Sequence, residues 1–302
     1  MNERLVSTNG SKRGFKERAT LAMNVDQLRE KLREIEKITN EDWMKSLDER
    51  KRLELEFHDK NRDQKLEENI DRDTYEKFYG NRKYYDATNA SKAYVDQWIE
   101  QNAKGKIFLD YACGNGSNAL KAAKYGASLA IGIDISAVSV GNARREALAE
   151  GVQDTTVFIQ ADAENTKLPD NSIDVIICSG MLHHLDLSYA FPELRRILAP
   201  GGVILAVEAL DYNPAIKLYR HLTPAMRTDW EKSHILSLKD VDFAKRFFDI
   251  GEIKYWHILS IIGPHMRPLF PLLHAIDAVL TKIPGIRLMA WIFTFQLIKP
   301  NR

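Results

Sequence analysis

Short apolar runs alternate with helical patterns between residues 106 and 208. The runs are rich in Ile, Val, Leu and Phe, as expected of strands buried on both faces of a sheet. Strands that alternate with helices predict a doubly wound α/β sheet, mostly parallel, with ligands bound at the carboxyl ends of the strands. The predicted strands are Ile107–Leu109, Leu129–Ile133, Thr156–Gln160, Ile173–Cys178 and Val203–Val207, and the predicted helices are Asn118–Tyr125, Ala137–Glu150 and Tyr189–Leu198. A turn at Pro200–Gly202 is expected to close the last of these helices.

A glycine turn follows the first predicted strand. Gly114 and Gly116 allow the backbone to turn sharply and to approach a ligand closely, and a helix begins directly after them. This order of strand, turn and helix points backbone N–H groups at a ligand and predicts a nucleotide-type site. The turn alone does not identify the cofactor. Gly114-Asn-Gly-Ser-Asn-Ala119 satisfies the dinucleotide pattern G-x-G-x-x-G/A, so NAD fits it as well as a single nucleoside cofactor does.

Polar residues stand where successive strands end. A carboxylate at Asp134 suits the ribose hydroxyls of either cofactor. Asp162, one strand further out, is placed to accept from the exocyclic amine of an adenine lying across the strand ends. Asp110, Asp134, Asp162, Ser179 and Glu208 all fall at the carboxyl ends of predicted strands, and the sequence therefore predicts a ligand site along this edge.

Several motifs recur in a fixed order over Phe108 to Glu208, and together they resemble the class I S-adenosylmethionine-dependent methyltransferases, especially the subgroup of the ubiquinone/menaquinone methyltransferases. One departure is Tyr111-Ala112, where that family usually has a small residue and Gly. The motifs are Asp110-Tyr-Ala-Cys-Gly-Asn-Gly116, Gly132-Ile-Asp-Ile-Ser136, Asp162-Ala-Glu164, Leu168-Pro-Asp-Asn-Ser-Ile-Asp174, His183-His-Leu-Asp186 and Leu198-Ala-Pro-Gly-Gly202.

The resemblance implies S-adenosylmethionine as cofactor and a Rossmann-like sheet of seven strands whose last strand is antiparallel. Glu252–Ser260 and Trp291–Ile298 are the predicted sixth and seventh strands, with a helical insertion before the last. By the same resemblance, the cofactor-binding residues are Asp110, Ala112, Gly114, Gly116, Asp134, Ile135, Asp162, Ala163, Ser179 and Gly180.

The rest of the chain divides into appended segments. Residues 1–24 are polar without periodicity and are expected to form a flexible arm. Residues 25–104 carry charged, periodic helices that either cover the main domain as a lid or associate with a second copy of the chain. The methyltransferase domain is expected at 105–302, with insertions at about 211–248 and 263–290.

Methyl transfer from a sulfonium is an in-line displacement that needs alignment and exclusion of water, so no fixed catalytic motif is expected. A general base is needed only where the nucleophile is protonated. The candidates are His183, His184, Glu208 and His58. The paired histidines are also candidate metal ligands. No other residues near them in the sequence have the spacing of a metal site, and no metal site is expected.

The acceptor is expected to be small and hydrophobic, with Tyr84, Tyr85, Tyr219 and Arg227 as candidate contacts. The apolar run Leu269–Leu280 has basic flanks and predicts either a substrate channel or peripheral contact with a membrane surface. A helix that faces the core is the alternative, because Leu272, Leu273, Ile276, Val279 and Leu280 can share one helical face.

Composition narrows the function classes. The net charge of +1 over 302 residues gives no basic surface for nucleic acid, and the two cysteines are expected to be reduced in a cytoplasmic protein. No signal-peptide pattern or run of membrane-spanning length is apparent. Three alternatives stay open: a NAD-dependent oxidoreductase on the same glycine turn, an RNA or protein methyltransferase, and a binding protein on a decayed fold.

Overall fold

The computed structural model describes residues 24–62, 84 and 87–301. A seven-stranded sheet with the order β3-β2-β1-β4-β5-β7-β6 forms its centre. The first five strands are parallel, and β7 lies antiparallel between β5 and β6. The predicted fold class is confirmed. The strands are β1 (Ile107–Tyr111), β2 (Leu129–Asp134), β3 (Thr156–Gln160), β4 (Ile173–Ser179), β5 (Leu198–Ala209), β6 (Asp249–Trp256) and β7 (Ile292–Ile298).

Helices cover both faces of the sheet. They are α1 (Val25–Glu36), α2 (Asn40–Ser46), α3 (Glu49–Arg62), α4 (Asn89–Ala103), α5 (Ser117–Lys124), α6 (Ala137–Ala149), α7 (Leu187–Ile197), α8 (Pro214–Leu222), α9 (Asp229–His234), α10 (Leu238–Ala244) and α11 (Phe270–Leu280). Short 3₁₀ segments include Leu182–His184 and Ser260–His265.

The strand side chains alternate between two cores. Leu109 and Tyr111 of β1 pack into the core that α1, α7 and α10 cover, whereas Phe108 packs into the core beneath α4, α5 and α6. β1 and β2 are buried along their whole length. Each fully buried side chain of this size contributes roughly 1.5–3 kcal/mol. Burial on both faces explains why these strands are continuous apolar runs in the sequence.

The first helix packs on its own domain. Asn24 and Gln27 form a capping box at the start of α1, and the buried residues Leu28, Leu32 and Ile35 belong to the sheet core. The apolar stripe of α1 is therefore buried within one chain.

Two local predictions are wrong. The turn expected at Pro200–Gly202 lies inside β5, where Gly201 adopts a φ of +72° and the pairing with β4 is irregular. The backbone of Lys299 holds this irregular stretch, since its carbonyl accepts from the Gly201 N–H and its N–H donates to the Gly202 carbonyl. The sixth strand ends at Trp256 rather than at Ser260, because Ser260 begins a 3₁₀ segment.

The insertion before β7 does not bury one apolar helix face. In α11 Leu273 and Asp277 are buried, while Leu272 and Val279 are 56% and 61% exposed. Asp277 anchors the helix by accepting from the backbone N–H groups of Leu259 and Ser260. The core-facing alternative is thus wrong for Leu272 and Val279. Among the described helices, none has the length and apolar character needed to cross a membrane.

Candidate active site

A pocket of about 240 Å³ opens at the carboxyl ends of β1 to β4. The glycine turn and the residues that end these strands form its walls, and α3 closes one side through Arg50, Lys51, Glu54 and His58. The predicted cofactor residues that line it are Asp110, Ala112, Gly114, Asp134, Ile135, Asp162, Ala163, Ser179 and Gly180. Gly116 instead caps the start of α5.

The glycine turn is held by a carboxylate and requires glycine. Asp134 accepts from the Gly114 N–H through Oδ2 at 2.8 Å and from the Ser136 N–H through Oδ1 at 2.9 Å. Gly116 has a φ of +82°, and a Cβ there would lie 2.6 Å from the Phe158 ring and 2.9 Å from the Ala143 methyl. The turn therefore depends on Gly116 for both conformation and space.

Asp110 lies at the amino end of α5. Its Oδ2 accepts from the backbone N–H groups of Asn118 and Ala119, each at 3.2 Å. Burial, with a smaller contribution from the Asp134 charge, outweighs these hydrogen bonds and raises the pKa of Asp110 to about 7. The carboxyl group thus changes charge near neutral pH in the ligand-free protein.

Two basic residues of α3 contact the acids at the end of β3. Lys51 Nζ lies 2.6 Å from Asp162 Oδ2 and 2.9 Å from Glu164 Oε2. Arg50 donates to Glu164 at 2.6 Å and to the carbonyl of His184 at 2.9 Å. Sequence reasoning missed both, because basic residues on a charged helix ordinarily form a solvated face.

The histidine candidates lie together, each beside a glutamate. His183 Nδ1 is 2.6 Å from Glu208 Oε2, and Glu208 Oε1 accepts from the N–H groups of Met181 and Leu182. His184 Nδ1 is 2.8 Å from Glu54 Oε2, and His58 Nε2 lies 3.7 Å from that same oxygen.

Charges in this cluster move the pKa values in opposite directions. Burial lowers the pKa of His183, but the Glu208 carboxylate more than offsets burial, so the pKa lies above its ordinary value. Burial and the neighbouring His183 lower the pKa of His184 to about 3. An imidazole oriented through Nδ1 in this way can either take up a proton or bind a metal through Nε2.

A second cavity of about 330 Å³ lies on the far side of the cluster. Tyr84, Tyr219 and Arg227 line it together with His183 and Glu231; Tyr85 lies outside the described residues. Tyr84 and Tyr219 meet edge to face at 5.7 Å. Most of the remaining wall is aliphatic, from Ile216, Ile235, Ile258, Ile261 and Ile262. The cavity therefore suits a mainly apolar ligand.

A cleft of about 540 Å³ connects the two cavities. It shares Ser179, Gly180 and His184 with the pocket at the strand ends. It shares His183 and Glu231 with the apolar cavity. The paired histidines therefore lie between the two cavities, and Glu231, which sequence reasoning missed, joins them from α9.

Comparison with known proteins agrees with this arrangement. A family model described as a methyltransferase domain matches residues 109–206. A sterol 24-C-methyltransferase of Gibberella zeae is 34% identical over 107 residues, which are 35% of this chain and 28% of that protein. A ubiquinone/menaquinone biosynthesis C-methyltransferase of Hahella chejuensis is 35% identical over 109 residues, 34% of this chain and 43% of that protein. The chain thus spans less than half the length of these relatives.

A solved geranyl diphosphate methyltransferase has the same fold, with a TM-score of 0.51 and 14% identity over 68% of this chain and 77% of that one. The antiparallel β7 between β5 and β6 agrees with the methyltransferase sheet and leaves the dinucleotide-binding alternative without support. The match over residues 109–206 and these relatives support a class I S-adenosylmethionine-dependent methyltransferase domain in this part of the chain.

Proposed function

We propose that this protein transfers a methyl group from S-adenosylmethionine to a small, mainly apolar acceptor. The observation that carries the proposal is the cleft at the paired histidines, which shares lining residues with both the pocket at the strand ends and the apolar cavity. A donor in the pocket and an acceptor in the cavity would meet at the paired histidines. In-line displacement requires such an alignment and no covalent enzyme intermediate.

The cofactor is assigned by the chemistry of the strand ends. The buried carboxylate of Asp134 would take the ribose, and Asp162 and Ala163, which also line the pocket, would lie at the adenine end. The methionine end of the cofactor would lie over the glycine turn, near Asp110. The ammonium and sulfonium of that end are cationic, and a buried carboxylate is a favourable partner for them.

The acceptor cavity supports a mainly apolar substrate with one polar end. The side chain of Arg227 is 9% exposed and lies 3.4 Å from Glu231, so the cavity wall carries both signs of charge. The isoleucines and Trp291 make much of the remaining wall apolar. An acceptor that places its polar end at the cleft would bring its nucleophile to the histidines.

The helix α3 is proposed as a lid. Lys51 binds the acids beside β3, and Glu54 reaches the histidine cluster, so one helix contacts both the cofactor end and the reacting end of the site. Closure by such a helix excludes water from the sulfonium, which is the main requirement of this chemistry.

A peripheral contact with a membrane surface is proposed for the segment around α11. Exposed apolar residues there include Leu269, Leu272, Val279 and Ile283, and the exposed basic residues Arg267 and Lys282 flank them. Ile262 is 43% exposed and also lines the acceptor cavity, so the apolar surface adjoins that cavity. Basic and apolar side chains on one surface favour binding to anionic lipid.

The test uses ligand binding followed by product identification. S-adenosylhomocysteine at about 100 times its Kd is expected to stabilise the native state by about 2.7 kcal/mol, whereas NAD is expected to have no effect. Cell extracts supplied with methyl-labelled S-adenosylmethionine should yield a labelled low-mass product by mass spectrometry. Stabilisation by NAD alone, or label found only in protein or RNA, would contradict the proposal.

A further inference from the structure

We propose that His183, His184 and Glu231 bind a divalent first-row transition-metal ion between the cofactor pocket and the acceptor cavity. One nitrogen from each ring and one carboxylate oxygen of Glu231 all lie within 4.8 Å of one another. The histidines come from the 3₁₀ segment after β4, and Glu231 comes from α9. Metal–ligand distances of about 2.0–2.2 Å require the three atoms to close by roughly an ångström, which side-chain rotation supplies.

The outer partners of the two histidines are those expected of metal ligands. His183 Nδ1 is held by Glu208 at 2.6 Å and His184 Nδ1 by Glu54 at 2.8 Å. Each ring is thereby oriented through Nδ1, which leaves Nε2 for the ion. A carboxylate on the second ring nitrogen is the usual means by which proteins fix the tautomer and raise the basicity of a ligating imidazole.

These outer carboxylates are themselves fixed. Glu208 is 1% exposed and accepts from two backbone N–H groups, those of Met181 and Leu182. Glu54 is 6% exposed and also accepts from the Thr228 hydroxyl. Thr228 in turn caps the helix that carries Glu231, because its hydroxyl accepts from the Glu231 N–H at 3.1 Å. Glu54 and Thr228 therefore link His184 to the helix that carries Glu231, while Glu208 holds His183 separately.

The ligand set indicates the class of ion. Two imidazoles and one carboxylate suit Zn²⁺ or Fe²⁺ and do not suit Mg²⁺ or Ca²⁺, which prefer oxygen ligands alone. Three protein ligands leave at least one coordination position open, and all three residues line the cleft where donor and acceptor would meet. An open position at that place is typical of a catalytic rather than a structural site.

A second group of side chains, Glu54, His58 and His184, also has possible ligand atoms within 4.8 Å of one another. It would use Glu54 as a direct ligand although that carboxylate already accepts from His184 and Thr228. The set with Glu231 keeps both outer carboxylates in their observed contacts, and we therefore assign the ion to it. The two assignments differ in whether His58 or Glu231 is essential.

The role of the ion rests on the proposed function. An acceptor hydroxyl bound at the open position would lose its proton to solvent, since a bound cation lowers the pKa of such a group. The oxygen–methyl bond then forms as the sulfur–methyl bond breaks. The sulfonium leaves as the neutral thioether of S-adenosylhomocysteine, so charge and atoms balance.

Zinc binding to the tag-free, EDTA-treated full chain tests the site. Titration calorimetry with Zn²⁺ should give one ion per chain, and a Co²⁺-loaded sample should show visible absorption bands. Glu231→Gln and His184→Asn should each weaken binding at least tenfold. Glu208→Gln, which removes only an outer partner, should weaken it about 10- to 100-fold.

Matched controls come from exposed positions. Asp229 lies on the same helix as Glu231 with its side chain 98% exposed, and His221 is exposed on α8. Asp229→Asn and His221→Asn should leave Zn²⁺ affinity unchanged. Circular dichroism and thermal unfolding of each variant separate loss of the site from loss of the fold.

Two results would overturn the inference: no Zn²⁺ binding at micromolar concentration by folded wild-type protein, or binding that is lost in His58→Asn and retained in Glu231→Gln. S-adenosylhomocysteine binding to the metal-free protein is measured in parallel. Nucleoside binding without Zn²⁺ binding removes the metal site and leaves the proposed function standing. Zn²⁺ binding without S-adenosylhomocysteine binding would support the metal site and contradict the proposed function.

Discussion

Lys51 Nζ lies 2.6 Å from Asp162 Oδ2, and this ion pair joins the helix α3 to the carboxyl end of β3 across 111 residues of sequence. Lys51 also contacts Glu164, and the side chains of the two acids are only 9% and 4% exposed. Burial lowers the pKa of Lys51, but the two carboxylates raise it by more, so the pKa lies above its ordinary value. The amine therefore stays charged in the folded protein.

The first prediction removes that charge. Lys51→Met should lower the free energy of unfolding by about 1–3 kcal/mol, because it leaves Asp162 buried without a cation while Arg50 still compensates Glu164. Urea unfolding measures the change. Lys31→Met is the control, since its pair with Glu34 is about half exposed and contributes little. Equal effects of the two substitutions would show that the Lys51 pair does not anchor α3.

The second prediction separates conformation from space at the glycine turn. Gly116→Ala should cost about 2–4 kcal/mol of stability, because it adds a clash with Phe158 and Ala143 to the cost of a left-handed backbone. Gly105 has a φ of +70° and nothing within 4 Å of its Cβ position. Gly105→Ala should therefore cost only about 1–2 kcal/mol. Thermal unfolding of both variants gives the difference, and equal costs would exclude the clash.

The third prediction concerns the ribose contact. Asp134→Asn should weaken S-adenosylhomocysteine binding at least tenfold, because it replaces a charged acceptor in the pocket and disturbs the Gly114 N–H that this acceptor holds. Calorimetry measures the affinity. Asp242→Asn, at a side chain that is 68% exposed, serves as the control. An unchanged affinity in Asp134→Asn would contradict the assigned contact.

The fourth prediction is a pH dependence of cofactor binding. The pKa of Asp110 is raised to about 7 by burial, so the ligand-free native protein holds a proton there below that pH. A cationic cofactor favours the ionised carboxylate and releases the proton. The affinity for S-adenosylmethionine should therefore rise with pH between about 5.5 and 7.5, approaching tenfold per pH unit at the acid end.

Asp110→Asn tests whether this carboxyl group is responsible. The variant should bind more weakly, and the rise of affinity with pH should disappear. The stability of the ligand-free protein should depend on pH in the opposite direction from cofactor affinity. Because the pKa of Asp110 is raised, the native state binds more protons than the unfolded state, and Asp110 lowers stability as pH rises from about 4 to about 7. A pH slope that persists in Asp110→Asn would assign the proton to another group.

The fifth prediction tests the proposed membrane contact. The double variant Leu272→Glu, Val279→Glu should reduce co-sedimentation with anionic lipid vesicles several-fold, because both side chains are exposed and apolar. Its stability should change by less than about 0.5 kcal/mol, as for other surface substitutions. Leu148→Glu, at a position 69% exposed on α6, should leave vesicle binding unchanged. Equal loss in the control would indicate a general charge effect.

Much of the pocket at the strand ends was predictable because its determinants are local in sequence. Apolar runs define the strands, and the position directly after a strand is at the carboxyl edge whatever the rest of the chain does. Asp110, Asp134 and Asp162 were therefore located correctly at neighbouring strand ends. The irregularity in β5 was not predictable, since Gly201 lies in the strand only because Lys299 of the last segment pairs with it.

The reacting end of the site was only partly visible in the sequence. His183 and His184 were recognised from their motif, but Glu54 lies 130 residues from His184 and Glu231 belongs to a separate helix. Such pairings depend on where α3 and α9 pack, and periodicity carries no information about that. The exposure of Leu272 and Val279 was undecidable for the same reason.

The sequence by itself determined the alternation of strands and helices, the glycine turn and the row of acids at the strand ends, because strand, helix and turn preferences are set by a few neighbouring residues. Only the tertiary structure decided that α3 covers the pocket with Lys51 and that Glu208, Glu54 and Glu231 surround the paired histidines. Those contacts join distant parts of the chain, and burying charged groups together is favourable only once the whole sheet has placed them within reach of one another.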